Sequence, residues 1–177
     1  MIAIMSDSTA SLFQGARSQN LPREAVLFRT DDPVRFMFRV ETGRVDLVRH
    51  GADGRRMILH RARAGEVLAE ASAYSTAYHC DGVAVEDSRI AAIPVREFLG
   101  RLSADPALAA AWSARLARAL QRARAHAEIR TMRTVAERLD AWLEDGGAMP
   151  ERGQWQRVAE EIGVSREALY RELAKRG

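Results

Sequence analysis

Three charged side chains near the end of the chain, Arg166, Glu167 and Arg171, carry the clearest chemistry in the sequence. The planar fork of an arginine matches O6 and N7 of guanine, and a carboxylate accepts from the N4 amine of cytosine. An acid on a surface that met only phosphates would be repelled, so Glu167 between two arginines points to reading of base edges. The plainer meaning of such charges is a solvated helix face with local ion pairs. The surrounding residues favour the first meaning, because Ala159, Gly163, Ser165 and Leu169 occupy the positions that build a tight turn between two short helices.

Stepping outward from those side chains, Val158, Ala159 and Ile162 fall on one face of a first helix, and Gly163 follows as a residue able to take the positive φ that stops it. Ser165 is placed to cap a second helix, whose buried stripe would be Ala168, Leu169 and Leu173. This spacing predicts a helix-turn-helix, in which the second helix enters the major groove of DNA.

A second cluster with chemical capacity is Tyr78-His79-Cys80-Asp81. Cys80 is the only cysteine, which excludes an internal disulfide and a four-cysteine metal site within one chain and fits a reducing cytoplasm. Its two readings are an inert core thiol and a redox or small-ligand group. His50, His60, His79 and His126 are the residues that could ligate haem, but no spacing singles out an axial ligand, so metal and cofactor stay unassigned. No Ser–His–Asp spacing, Gly-rich phosphate loop or His/Cys metal pair points to an enzyme.

The bulk numbers are those of a soluble protein: 177 residues, 47% hydrophobic, formal charge +3. Arg115, Arg118, Arg122, Arg124, Arg130 and Arg133 face one acid over their span, Glu128, making a basic helix that either approaches phosphates or is simply well solvated. No run of 18 apolar residues occurs, and Met1-Ile-Ala-Ile-Met lacks the features of a signal peptide, so no membrane association is expected.

In chain order, the first 20 or so residues read as mixed packing material, with Ser6, Asp7 or Ser8 able to cap a short helix through Leu12-Phe13. From Ala25 to Ile93 short β-like runs follow: Val26–Phe28, Phe36–Phe38 with Val40, Val45–Val48, Met57–Leu59, Val67-Leu68, Val83–Val85 and Ile90–Ile93. Gly43, Gly54 and Gly65 punctuate them every eleven residues, which argues for a compact antiparallel sandwich or roll. Pro94 then starts a short helix with Val95, Phe98, Leu99 and Leu102 as its stripe. A long helix begins near Asp105-Pro106. Leu116, Leu120, Ala123 and Ala127 alternate at spacings of four and three along it, the seam of a helix that pairs with its own copy or packs within the chain. A hinge is expected around Thr131–Thr134, then a helix with Val135, Leu139, Trp142 and Leu143, ended by Asp145-Gly-Gly147 and Met149-Pro150.

Roll, pairing helix, hinge and helix-turn-helix in that order resemble the bacterial Crp/Fnr family of transcription regulators over nearly the whole chain. Glu41–Val48 followed by Asp53–Arg56 is similar to that family's roll hairpin, Val83–Ser88 to the strand after its ligand cassette, and Ser165-Arg-Glu-x-x-x-Arg171 to its recognition helix. The resemblance implies an α+β fold: an N-terminal antiparallel, jelly-roll-like β-roll (1–103), a dimerisation helix (104–133) and a C-terminal helix-turn-helix domain (134–177). It implies a cytoplasmic homodimer that binds double-stranded DNA at a TGTGA-like palindrome through Ser165, Arg166, Glu167, Tyr170, Arg171 and Lys175, with RNA polymerase as a further candidate partner. The dimer seam would be Leu116, Leu120, Ala123 and Ala127.

The departures bear on the effector. Cyclic-AMP-binding members have Gly-Glu before a short helix and then an Arg that pairs with the cyclic phosphate; here the cassette reads Ala69-Glu70-Ala71-Ser72, and Tyr78 falls where that Arg would lie. A neutral phenol does not replace a guanidinium in a bidentate phosphate pair. Ala123 and Arg124 stand where those members place adenine-contacting hydroxyls. The expected effector region is thus Glu70, Ala71, Ser72, Tyr78, His79, Cys80, Ala123 and Arg124, its small-molecule effector unknown and not cyclic AMP. The chain ends at Lys175-Arg-Gly177, where the family usually continues into a two-stranded wing. The alternative is a sensor or interaction module that has lost DNA binding, against which both base-reading arginines speak.

Overall fold

The computed structural model describes residues 10–51 and 56–176. Eight strands come first: β1 (Arg17–Leu21), β2 (Val26–Phe28), β3 (Phe36–Thr42), β4 (Arg44–His50), β5 (Arg56–Arg63), β6 (Val67–Leu68), β7 (Asp81–Ala84) and β8 (Ser88–Pro94). Helices follow: α1 (Val95–Ala104), α2 (Pro106–Thr131), α3 (Val135–Glu144), α4 (Trp155–Ile162) and α5 (Arg166–Arg176). The chain divides into two compact units, one up to Leu116 and one from Ala117, so α2 contributes its first part to one and its second part to the other.

In the first unit the strands form two four-stranded antiparallel sheets, ordered β1-β8-β3-β6 and β2-β7-β4-β5. Side chains alternate across a strand, and the sequence uses both faces of the first sheet. Phe38, Val40, Leu68 and Ile90 point into a core shared with Val45, Leu47 and Ala84 of the second sheet. Their neighbours Met37, Val67, Ala91 and Ile93 point the other way, to Leu12, Phe13, Phe98, Leu102 and Trp112. Two apolar layers result. The short β-like runs were sufficient signal for the strands from β2 to β8.

β1 was not expected, since strands were read only from Ala25 on. The described residues 10–11 are helical and run into a turn that buries Leu12 and Phe13 as packing material and ends at Gly15 with φ +72°, and Arg17–Leu21 then pair with β8. Four of the five β1 residues are exposed and only Leu21 is buried, so this edge strand carries no apolar alternation to read. The proposed caps Ser6, Asp7 and Ser8, the Met1–Met5 start, Gly54 and the segment 52–55 lie outside the described residues. Gly43 does take positive φ, +82°, at the β3–β4 turn, where a Cβ would run into Ser88 and the Asp87 carbonyl.

The second unit is built on one apolar cluster: Ile129 of α2, Leu139 and Trp142 of α3, Val158, Ala159 and Ile162 of α4, and Leu169 of α5. The hinge after Thr131 has a local cause. Thr134 caps α3 in a reciprocal box, its hydroxyl accepting from Glu137 N at 3.1 Å while the Glu137 carboxylate accepts from Thr134 N at 2.9 Å. α3 ends as its glycines require: with Gly146 at φ +89°, its N–H reaches the Leu143 carbonyl, and the Gly147 N–H reaches that of Trp142.

Candidate nucleic-acid interface and roll interior

The turn between α4 and α5 forms as its residues dictate. Gly163 sits at φ +71°, and Val164 N then bonds back to the Ala159 carbonyl at 2.9 Å. Ser165 caps α5 by accepting from Ala168 N at 3.1 Å. Leu169 is fully buried and Leu173 partly so, which turns the opposite face of α5 outward. Ser165, Arg166, Glu167, Arg171 and Lys175 are all exposed there.

These exposed groups differ in what already engages them. Arg171 makes no hydrogen bond or salt bridge among the described residues. Glu167 is held below the ordinary carboxylate range by its own backbone N–H and then by the Ser165 hydroxyl, and Arg166 and Arg171 add their field. Lys175 lies 3.8 Å from the Glu172 carboxylate. Tyr170 is half-buried, its ring centroid 5.0 Å from that of Trp155 and its hydroxyl donating to the Arg152 carbonyl at 3.1 Å. Sequence reasoning missed Arg176 as a structural clamp: it donates to both Asp140 oxygens, to Glu172 at 2.9 Å and to the Ala136 carbonyl at 3.3 Å, fastening α5 to α3. The salt-bridged carboxylates raise the pKa of its guanidinium further, and the Asp140 carboxyl is pulled down in turn.

The roll interior is organised around Tyr78. Its ring stacks on Phe28 at 4.1 Å with an 18° tilt, Phe28 stacks on Phe38 at 5.7 Å, and the Tyr78 hydroxyl donates to the Phe36 carbonyl at 2.5 Å. Burial pushes the phenol up to about 12. Gly82 is needed beside this stack, since a Cβ there would come within 2.8 Å of the Phe28 ring. Cys80 is buried in the same core, and burial raises its thiol above the ordinary range against the opposing pull of Arg49. The next residue, Asp81, accepts from Thr30 N at 2.7 Å and Thr30 Oγ at 2.9 Å, and its carboxyl is held low by those bonds.

Glu70, Ala71 and Ser72 lie in a 3-10 turn over Glu70–Tyr74, entered from Ala69 at φ +48°, ψ +45°. Ser72 is buried, Glu70 half-buried and Ala71 exposed. His79 is exposed, its ring 3.1 Å from the Ser75 hydroxyl and its carbonyl accepting from Arg49 at 2.8 Å. Among the described residues no group of three or more His, Cys, Asp or Glu is placed to hold a metal ion. Leu116 is half-buried against the layer that holds Phe98 and Trp112, whereas Leu120, 52% exposed, and Ala123, Arg124 and Ala127 are open. No described helix is long and apolar enough to cross a membrane.

Residues 18–105, from β1 through α1, match the family model described as the cyclic nucleotide-binding domain. No curated protein sequence matches the chain. Among solved structures, FixK2 from Bradyrhizobium japonicum is similar at 20% identity and TM-score 0.71, over 90% of this chain and 83% of that one. The c-di-GMP responsive global regulator CLP of Xanthomonas campestris is similar at 22% identity and TM-score 0.70, over 96% and 90%. The Thermus thermophilus catabolite activator protein follows at 24% identity and TM-score 0.60, over 98% and 84%. Residues 18–105 are therefore similar to a cyclic nucleotide-binding domain, and along most of its length the chain shares the α+β fold of Crp/Fnr-type transcription regulators.

Proposed function

We propose that this protein is a homodimeric, sequence-specific DNA-binding transcription regulator of the Crp/Fnr type whose effector is not cyclic AMP. The observation that carries the reading is α5: one face is buried with Leu169, and the other exposes Arg166, Glu167 and Arg171 beyond a capped turn. In this reading residues 1–103 are the sensor roll, 104–133 the dimerisation helix and 134–177 the DNA-binding domain. The seam Leu116, Leu120, Ala123 and Ala127 pairs with a second copy, and the exposure of Leu120 supports this, while Leu116 divides its contacts with the roll-side layer.

Two recognition helices related by the dimer axis enter successive major grooves about 34–36 Å apart, so the operator is a palindrome with half-sites one helical turn apart. In each half-site Arg166 and Arg171 face guanines, and Glu167 faces the cytosine paired to one of them. Ser165 and Lys175 flank this set toward the phosphates. On the roll side, the Tyr78–Phe28–Phe38 stack fills the interior with neutral rings and presents no guanidinium from position 78 to a cyclic phosphate. Within the roll, Glu70–Ser72 and His79–Cys80 remain the effector region.

The test is a gel-shift titration at fixed, stated salt against a TGTGA-type palindrome and a shuffled duplex, with and without cyclic AMP. The palindrome should bind at least tenfold more tightly with no help from the nucleotide. Equal binding to both duplexes sinks the regulator reading, and binding that appears only with cyclic AMP sinks the effector reading. Glu167→Ala should raise binding to the shuffled duplex while discrimination falls, because a negative charge near phosphates is removed.

A further inference from the structure

Along the helix-turn-helix runs a contact that the base-reading set does not use. Each of two packed rings has a guanidinium over it: Arg152 Cζ stands 5.8 Å from the Trp155 ring centroid, and Arg166 Cζ stands 5.2 Å from that of Tyr170. The rings themselves are 5.0 Å apart, tilted by 59°. Both are anchored by their polar ends, Tyr170 through its hydroxyl to the Arg152 carbonyl at 3.1 Å and Trp155 through Nε1 to the Pro150 carbonyl at 3.0 Å. Tyr170 has thus committed its only donor inside the protein, whereas Arg166 makes no hydrogen bond or salt bridge among the described residues. The Tyr170 ring is what Arg166 rests on.

We infer that Tyr170 is a positioning residue that sets specificity: its ring, fixed by Trp155 and by the Arg152 carbonyl, holds the Arg166 guanidinium ready for a base edge before DNA arrives. The inference rests on the DNA-reading function proposed above. Positions 166 and 170 are one helical turn apart, the separation at which side chains on one face meet. A guanidinium lies flat on an aromatic face and keeps its in-plane donors free, so stacking does not compete with a bidentate contact to guanine. A long flexible arginine loses rotamer freedom when it docks; one already stacked has lost it on folding, and the saving appears as affinity for the correct sequence.

The experiment uses the full chain and four variants, Tyr170→Leu, Tyr170→Phe, Arg166→Ala and the double variant Tyr170→Leu/Arg166→Ala, against the selected palindrome and a shuffled duplex at one salt concentration. Tyr170→Leu should weaken palindrome binding by about fivefold to thirtyfold, two half-sites each losing one exposed cation–π contact, and leave the shuffled duplex unchanged. Tyr170→Phe keeps the ring and should stay within about twofold. In the Arg166→Ala background Tyr170→Leu should add nothing. Without DNA, the Arg166 δ protons should show an upfield ring-current shift in the wild type and Tyr170→Phe, and lose it in Tyr170→Leu. Should Tyr170→Leu lower the melting midpoint, Tyr170→Met, which refills the space against Trp155, takes its place. Losses that add across the double variant, equal losses on both duplexes, or a wild type without the ring-current shift overturn the inference. A wild type that keeps the shift but prefers no duplex fails at the DNA-reading function itself, and the inference falls with it.

Discussion

In the roll, Tyr78 has its ring stacked at 4.1 Å on Phe28 and its hydroxyl given to the Phe36 carbonyl, whereas on α5 Arg171 stands exposed with its donors unused among the described residues. Both were singled out from the sequence as functional positions. The first has no donor left to offer a ligand without being displaced, and the second makes no hydrogen bond or salt bridge among the described residues. A buried polar group that is fully hydrogen-bonded contributes to the core, while exposed donors on a rigid, capped helix are available to a partner at little reorganisation cost.

The hardest blow to this contrast is Tyr78→Arg, which places a cation at the position where the family resemblance leads one to expect the phosphate-pairing Arg of cyclic-AMP binders. An unpaired charge among Phe28, Phe38 and Cys80 should cost about 3–5 kcal/mol of roll stability in a denaturant titration. Calorimetry should still find no micromolar cyclic-AMP binding; a stable variant that takes up the nucleotide would mean that the interior is a ligand site after all. Next in size is Arg171→Ala, expected to cost about 1–3 kcal/mol per half-site and to relax preference at one base pair in a selection from random DNA. An unchanged selected sequence would return Arg171 to the solvated surface. Thr134→Ala removes the cap of α3 and should cost about 1 kcal/mol, seen as a lower melting temperature of the helical unit.

Two pH effects have opposite signs. The Glu137 carboxyl sits below its ordinary value of 4.5 because Thr134 donates to it, so its contribution is present above that pH and is lost as pH falls through the folded value. Thr134→Ala keeps the backbone N–H that Glu137 accepts from and loses only the hydroxyl, so it should reduce this acid slope in part. Tyr78 has its pKa raised from 10.0 to about 12, so above pH 10 the unfolded chain gives up the proton first and the roll loses stability as pH rises. Phenolate absorbance should therefore show Tyr78 ionising together with unfolding. Ionisation near pH 10 in a folded roll would place the hydroxyl in water.

What could be read in the residues, and what could not, follows the same division. β3, β4, β6 and β8 were legible because buried strands leave short apolar runs, and β5 through the run Met57–Leu59 although Met57 and Leu59 are exposed; the α4–α5 turn was legible because Gly163, Ser165 and Leu169 each have one task that fits their type. β1 was not legible, since Arg17-Ser-Gln-Asn is exposed along an edge and carries no pattern. The left-handed Ala69 gave no sign because alanine rarely takes that conformation, and nothing in its neighbours marks the turn. Tyr170 looked like a DNA contact from its place on α5. Its inward commitment depends on Trp155 and Arg152, which lie fifteen and eighteen residues back and meet it only in the folded unit.

The pairing of β1 with β8 also has a consequence for synthesis. Arg17 lies opposite Ala92, so β1 has no partner until the whole roll has left the ribosome, about 4–15 seconds later at 5–20 residues per second. A waiting strand rich in valine or phenylalanine would seek a neighbour on another nascent chain. Arg17-Ser-Gln-Asn-Leu21 has a single large apolar residue and a charge at its head. The polarity that hides this strand from pattern reading lets it wait unpaired in water, and the last strand to arrive closes the sheet over a segment that has caused no harm in the meantime.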